Sequence, residues 1–485
     1  MHTFSCAFLT KKSHHVVHLL RFLFTFYPIL FTFSLDLFTS PRNYVTTLSN
    51  HPNPPFIMWP PMARMLCRSG FDRSTPPSCH VKLPSSPPVD PMPRSALYIH
   101  SLGTVSAAGI GLQELRQTLF GQHSSAMRFH TGLAPDPNKA FYCGFLSDLT
   151  PSQNSNRTAM LLELCLEQMS ELQELLPSIA PDRVAVVLGA CTSGMHRIEE
   201  GMSEYVRTQQ LPENFSIRDL NLFEPARFVA DKIGARGPVY TVSNACSSGL
   251  LALESAAQLL GANLADLVIA GGCDGFCQFT NAGFSALSAV SPEPCTPFSA
   301  GRKGINLGEG GALVAMTRHC SNAFLAYRGA GLTTDAHHLS APEPEGIQAA
   351  QAMRLALESA GLCLADIDLV IAHGTGTPLN DSMEAKAIER VFGTDVPCAS
   401  YKSLSGHTLA GAGALQAAIA AALLTDNPDG VLPPSAGIET VDPTLAPAHV
   451  LTQTRVLGRE IRHIVANAFA FGGSNASAVF SRVSP

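Results

Sequence analysis

Val239-Tyr240-Thr241-Val242-Ser243-Asn244-Ala245-Cys246-Ser247-Ser248-Gly249-Leu250 runs from a short apolar strand, through a turn of small residues, into a helix. Beyond the turn, Leu250, Leu253, Ala257 and Leu260 fall on one helical face, and Gly261 suits the position just past the helix end. Cys246 therefore sits at or just before a helix N-terminus. Free backbone N–H groups and the positive end of the helix dipole favour a thiolate there. The same donors can hold a carbonyl oxygen as it turns negative. Ala245, Ser247, Ser248 and Gly249 leave room for a thioester. The turn by itself reads equally well as a small buried cysteine packing a helix start.

The same strand-then-turn pattern recurs on both sides. Val184–Leu188 leads into Gly189-Ala190-Cys191, Leu267–Ala270 into Gly271-Gly272, Leu369–Ala372 into His373-Gly374, and Ile464–Ala466 into a glycine-containing turn. Short, wholly apolar strands imply a sheet covered on both faces. Their alternation with helical patterns implies parallel βαβ units, whose reactive residues gather at the C-terminal strand ends. The fold class is α/β. A coarse boundary near Ala323 divides the ordered chain into 94–322, which carries Cys246, and 323–485, which carries two histidines of interest.

Those are His373, opening His-Gly-Thr-Gly-Thr-Pro-Leu-Asn-Asp, and His407, within Lys402-Ser403-Leu404-Ser405-Gly406-His407. The segment after His407, Ala414 to Leu424, is nearly all Ala, Leu and Ile, which marks a buried helix. Imidazoles can donate to a developing enolate or accept a proton. Either histidine alone is more often structural. Lys402, in apolar surroundings, needs a countercharge, and Glu384 is the expected partner. Near the end, Asn467-Ala468-Phe469-Ala470-Phe471-Gly472-Gly473-Ser474-Asn475 places paired glycines, which permit positive φ and close backbone approach, beside two phenylalanines. Asn306-Leu307-Gly308-Glu309-Gly310-Gly311 is a candidate for a similar role.

Composition narrows the class. The chain has 485 residues, 46% apolar and 14% charged, with a net charge of −6. That length and low charge fit a two-lobed enzyme with a large core, and the charge argues against nucleic acid as the main partner. The 13 cysteines show no paired or metal-like spacing, so no metal is expected. No phosphate-binding glycine motif is present, so no nucleotide cofactor is expected either. Residues 1–91 differ: proline-rich, poor in acids, with one apolar run, Phe22–Leu35, too short to span a bilayer. A disordered tail, a membrane anchor and a leader appended by an upstream start assignment are the three readings. The position of Met92, just ahead of the first strand at Ala96–His100, favours the last. No stable membrane insertion is expected, and the chain is placed in the cytoplasm.

Taken in order, these motifs resemble the β-ketoacyl–acyl-carrier-protein synthase I/II group of the thiolase superfamily. The resemblance rests on Cys246 in its turn, Gly308-Glu309-Gly310, Asp335-Ala336-His337-His338, His373 through Pro378 with Asp381, Lys402 through His407, and Asn467 through Asn475. It spans about residues 94–483 and implies a thiolase fold, a five-layer α-β-α-β-α sandwich of two similar βαβαβαββ halves. It implies that Cys246 takes the acyl group, that His373 and His407 support malonyl decarboxylation, and that Lys402 paired with Glu384 sets the electrostatics. Thr375 and Thr377 match positions that contact a phosphopantetheine arm, and Phe471 matches a gating residue. The backbone N–H groups of Cys246 and Phe471 match the oxyanion hole. No cofactor is bound permanently, because phosphopantetheine arrives on the carrier. Implied partners are an acyl-carrier protein and a second subunit, in a homodimer or in a heterodimer with a chain-length-factor-like chain.

The sequence departs from the family at Thr296-Pro297-Phe298-Ser299-Ala300-Gly301-Arg302-Lys303-Gly304, where Ser299 and Lys303 replace two aspartates. That departure points to a divergent branch serving polyketide, polyene or other specialised chains. The alternatives are a non-catalytic subunit that shapes chain length, a CoA-dependent thiolase-type acyltransferase, and a cysteine hydrolase. Arg157, Arg197 and Arg207 are candidates for carrier docking, although solvated surface charge is the plainer reading of each.

Overall fold

The computed structural model describes residues 96–133, 139–152 and 155–483. Expectations for residues 1–91 lie outside the described residues. Ten strands are named here: β1 Leu97–Ser106, β2 Val184–Gly189, β3 Val239–Val242, β4 Leu267–Asp274, β5 Gly310–Thr317, β6 Leu325–Thr334, β7 Leu369–Ile371, β8 Cys398–Ala399, β9 His463–Ala470 and β10 Ser474–Arg482. Six helices alternate with them: α1 Arg157–Glu167, α2 Glu224–Ile233, α3 Ser248–Gly261, α4 Ile347–Ala360, α5 Pro378–Phe392 and α6 Ala412–Leu424.

The first five strands lie in the order β3-β2-β4-β5-β1, and the last five in the order β8-β7-β9-β10-β6. The second order is the first with every number raised by five. Orientations agree as well: β2 is parallel to β3 and β4, and β7 to β8 and β9, while the remaining neighbours are antiparallel. Each half therefore runs βαβαβαββ, apart from inserted short helices. The halves join edge to edge through β1 and β6, where Leu97, Tyr98 and Ile99 pair with Tyr327, Ala326 and Leu325. The sheet is thus continuous, and its strands are mixed in direction where βαβ alternation alone predicts parallel ones.

The period-2 pleat explains the layers. In β2, Val184, Val186 and Leu188 face one core with Leu161 and Leu162 of α1 and Val229 of α2. Ala185 and Val187 face the opposite core, with Leu250 and Leu253 of α3 and Leu415 and Ile419 of α6. Ile371 and Ala466 of the second half reach that same inner core. Val370 and Val465 face outward against α4 and α5. The layers are outer helices, sheet, inner helices, sheet, outer helices. Every residue of α6 is buried, as expected of a helix apolar on all sides.

The inner helices touch at their N-termini. A Cβ on Gly249 would lie 2.6 Å from the Ala414 backbone nitrogen, and one on Gly413 would lie 2.6 Å from the Leu250 backbone nitrogen. Glycine is required there because backbone meets backbone. The crossing also brings together the loops that precede the two helices, which carry Cys246 and His407. Gly413→Ala is expected to cost roughly 1–3 kcal/mol by forcing the helices apart; urea unfolding would measure it. A loss below about 0.5 kcal/mol would show that the crossing relaxes freely.

Candidate active site

Cys246 lies two residues ahead of α3. The turn before it is strained at Ala245, whose φ is +47°. Hydroxyls hold the turn: Ser248 donates to the Ala245 carbonyl and accepts the Asn244 N–H, and Ser247 donates to the Asn244 carbonyl. Asn244 Nδ2 reaches Ser474 Oγ across the sheet, which ties the cysteine turn to the hairpin between β9 and β10. The backbone N–H groups of Phe471 and of Cys246 itself act on the sulfur. Burial nevertheless dominates and pushes the thiol up to about 11, while the Lys402 cation and these two donors pull it down. The helix-terminus argument alone had favoured a thiolate; desolvation of the sulfur outweighs it.

His373 lies two residues past the end of β7. His373, Gly374, Thr375 and Gly376 present four consecutive backbone N–H groups, and two buried acids of α5 take all four. Glu384 accepts from His373 at 2.7 Å and Gly374 at 2.6 Å; Asp381 accepts from Thr375 and Gly376, each at 3.1 Å. Asp381 also accepts the Phe298 N–H at 2.8 Å. This corrects the expected pairing of Glu384 with Lys402. The Glu384 oxygens are spent on the histidine loop, and no described carboxylate lies within 4 Å of the Lys402 ammonium. The two charges act on each other through space only. Burial lowers Lys402 from its ordinary value and raises Glu384 to about 7.

His407 precedes α6 and is held by the first half of the chain. Its N–H donates to the Asn306 carbonyl at 2.7 Å, and its carbonyl accepts from Gly308 at 3.1 Å. The Gly308-Glu309-Gly310 loop thus positions a histidine, and its two glycines pack against the Ser405 and Val105 backbone carbonyls. Glu309 in that loop is buried against Arg157 and takes the N–H groups of Leu146 and Phe276. Arg157 is accordingly buried and engaged, not a docking cation. Arg197 is mostly buried and pairs with Asp219, while Arg207 is exposed and pairs with Glu204.

The Leu409 N–H donates to His407 Nδ1 at 3.1 Å, so the neutral ring carries its proton on Nε2. His373 Nδ1 is buried with no partner among the described residues. The two rings stand edge to face, with centroids 5.4 Å apart. Burial holds both imidazoles well below their ordinary value, and the Lys402 cation lowers both further. Cys246 Sγ and one nitrogen of each ring lie within 4.8 Å of one another. Among the described residues that trio is the set that could offer donors to a metal ion.

The three face a cavity of about 280 Å³. Thr375, Thr377, Phe469 and Phe471 line it, and the two threonine hydroxyls are bonded at 2.9 Å. Phe471 is part-exposed in a three-residue turn whose Gly472 and Gly473 take φ of +84° and +76°, and its ring packs on Phe284. Asp335 clamps this turn, accepting from Asn475 Nδ2 at 2.6 Å while its own N–H donates to the Gly473 carbonyl. Sequence reading missed Asp274, a buried acid at the end of β4. It takes the N–H groups of Cys191, Thr192 and Ala410, and burial raises it to about 6. An acid closing an otherwise apolar strand was the available signal.

The model "Beta-ketoacyl synthase, N-terminal domain" matches residues 146–320, and "Beta-ketoacyl synthase, C-terminal domain" matches 325–439. The chain belongs to the β-ketoacyl synthase family. Nodulation protein E of Rhizobium meliloti is 37% identical over 265 residues, 53% of this chain and 64% of that protein. The 3-oxoacyl-[acyl-carrier-protein] synthase 2 of Rhizobium meliloti strain 1021 is 35% identical over 264 residues, 51% of this chain and 61% of that protein. The chain thus matches a little under two thirds of the length of these curated relatives. One chain of the solved complex of the ketosynthase ApeO with its chain length factor ApeC, from Xenorhabdus doucetiae, is 33% identical with a TM-score of 0.75, covering 80% of this chain and 98% of that one. The fold is therefore the thiolase fold of the ketosynthases. Among the described residues no helix is long and apolar enough to cross a membrane.

The raised thiol of this member of the β-ketoacyl synthase family has a measurable consequence. Alkylation of Cys246 by iodoacetamide requires thiolate, so its rate is expected to climb about tenfold per pH unit from pH 7 to about 10. Lys402→Met removes the favourable cation and is expected to slow alkylation at every pH in that range. Peptide-resolved mass spectrometry would follow the modification. A rate already flat above pH 8 would mean that burial does not control this sulfur.

Proposed function

We propose that this chain catalyses decarboxylative Claisen condensation, joining an acyl group carried on Cys246 to a malonyl unit on an acyl-carrier protein. The product is a fatty-acid, polyene or polyketide-type chain longer by two carbons. The observation that carries this reading is a buried cysteine sulfur and one nitrogen of each of two buried imidazoles, all within 4.8 Å of one another and lining one cavity. Thioester exchange onto Cys246 is nearly isoenergetic and needs only a nucleophile and an oxyanion site. The Cys246 and Phe471 N–H groups serve as that site. The carrier thiol then leaves with the proton from Cys246, and malonyl carrier enters. Its carboxylate leaves as CO2, and the enolate oxygen that forms is met by N–H donors from His373 and His407. A carboxylate in their place would repel it. The carbanion attacks the acyl carbonyl, the carbon–sulfur bond breaks, and Cys246 leaves as a thiolate that takes a proton from solvent. Lys402 biases the field at the sulfur, Glu384 positions His373, and Thr375 and Thr377 line the path of the carrier arm. No bound cofactor takes part.

The second subunit is either another copy or a chain-length-factor-like chain. ApeO, which pairs with such a factor, supports the heterodimer, and the half-exposed outer edge of β3 offers a surface for either. Incubation with acyl carrier and malonyl carrier tests the whole reading. The expected result is an acyl adduct on the protein, CO2 release and a product two carbons longer. Folded protein that forms no adduct, alone or with a candidate partner, would instead favour a non-catalytic subunit.

A further inference from the structure

The cavity over Cys246 opens at a rim where the chain departs from the family pattern. Lys303, which replaces an aspartate of that pattern, is the only lysine or arginine in the cavity lining. Its side chain is 51% exposed, whereas Cys246 at the other end is buried. The next residue fixes its place: the Gly304 N–H donates to the Gly376 carbonyl at 2.9 Å. Lys303 is thereby held beside the loop that carries Thr375 and Thr377. Asp335 is the sole carboxylate in the lining, and both its oxygens are engaged, by Asn475 and by the Glu343 N–H. The Lys303 ammonium pairs with Glu293 at 2.8 Å, but both partners are more than half exposed. Such a pair is weak and exchanges readily for another anion.

We propose that Lys303 binds the phosphodiester at the outer end of the pantetheine arm while the thioester end reaches Cys246. This rests on the ketosynthase reading above. A pantetheine arm is a chain of neutral amides with sulfur at one end and phosphate at the other. Sulfur must enter the buried end of the cavity, so phosphate stays at the wet rim. A compact, hydrated ammonium suits it as a point charge. An aspartate at this position repels the same group. Lys303 is thus a specificity-determining residue for phosphorylated donors.

The test compares single-turnover acylation of the full chain by acyl-pantetheine and by acyl-4′-phosphopantetheine. Wild type is expected to favour the phosphorylated donor by about fivefold in kcat/KM at low salt, the size of one exposed charge contact. Added salt should shrink that preference. Lys303→Ala should bring the ratio close to one, Lys303→Arg should keep it, and Lys303→Glu should invert it. A ratio unchanged in Lys303→Ala overturns the proposal while leaving the ketosynthase reading intact. If neither donor acylates folded wild type, both fall. An equal Lys303 dependence with acyl-coenzyme A assigns the contact to the phosphate of either donor; a dependence confined to acyl-carrier protein, with the phosphopantetheine ratio unchanged, would place Lys303 against the carrier's own surface and overturns the proposal.

Discussion

Cys246→Ala is expected to abolish formation of the acyl-enzyme, with condensation falling by roughly 10⁴-fold or more. The sulfur is the one nucleophile on which the backbone N–H groups of Cys246 and Phe471 act. Alanine removes it without disturbing the turn, because the strained φ belongs to Ala245 and the cysteine side chain is merely shortened. The two histidines keep their anchors on Glu384, Asn306 and Leu409, so malonyl decarboxylation should survive in the variant. Intact-protein mass spectrometry reads the first effect and CO2 release reads the second. Cys191 needs separate attention, since it lies against the Ala245 carbonyl and Ser248 Oγ. Peptide mapping would reveal an acyl group there. Undiminished acylation of the variant at any residue would remove Cys246 from the mechanism.

How far the sequence reaches depends on which interactions are local. Cys246, His373 and His407 were legible because each ends an apolar strand or opens a buried helix, and strand-to-helix turns in α/β folds face one edge of the sheet. The repeated βαβαβαββ order was legible only through family resemblance. No short repeat marks it in the residues, and the match in strand order appears once pairing is known. The partner of Glu384 was misread for a physical reason. Charge balance pointed to Lys402, but a carboxylate on α5 meets the free N–H groups of the adjacent loop first, and those satisfy it without a second buried charge. The Gly249–Gly413 crossing was also hidden. Gly249 read locally as room for a thioester and Gly413 drew no reading, and only the packing of α3 on α6 makes them necessary.

Replacing either histidine should separate the two half-reactions in the opposite sense. His373→Ala and His407→Ala are each expected to acylate Cys246 within a few-fold of wild type, yet to lose decarboxylation and condensation by roughly 10²–10⁴-fold. The acyl-transfer oxyanion rests on backbone N–H groups, which neither substitution removes. The enolate oxygen rests on the imidazoles, which both substitutions weaken. Because the rings share one developing charge, the double variant should lose much less than the product of the single losses. pH supplies an independent check. Burial and Lys402 depress both imidazoles, so they stay neutral below the pH where an ordinary histidine protonates. Condensation by enzyme already acylated on Cys246, at saturating malonyl carrier, should therefore show no drop of histidine origin as pH falls through 6.5; Glu384, raised to about 7, takes up a proton in the same range, so the profile is compared with that of Glu384→Gln. A rate that halves near pH 6.5 in both proteins would mean that one ring gains a proton there and works as a cation. A neutral pair has a structural reason: a second positive charge beside Lys402 would hold the malonyl carboxylate in place and oppose its departure as CO2, whereas neutral N–H donors strengthen only as the enolate forms.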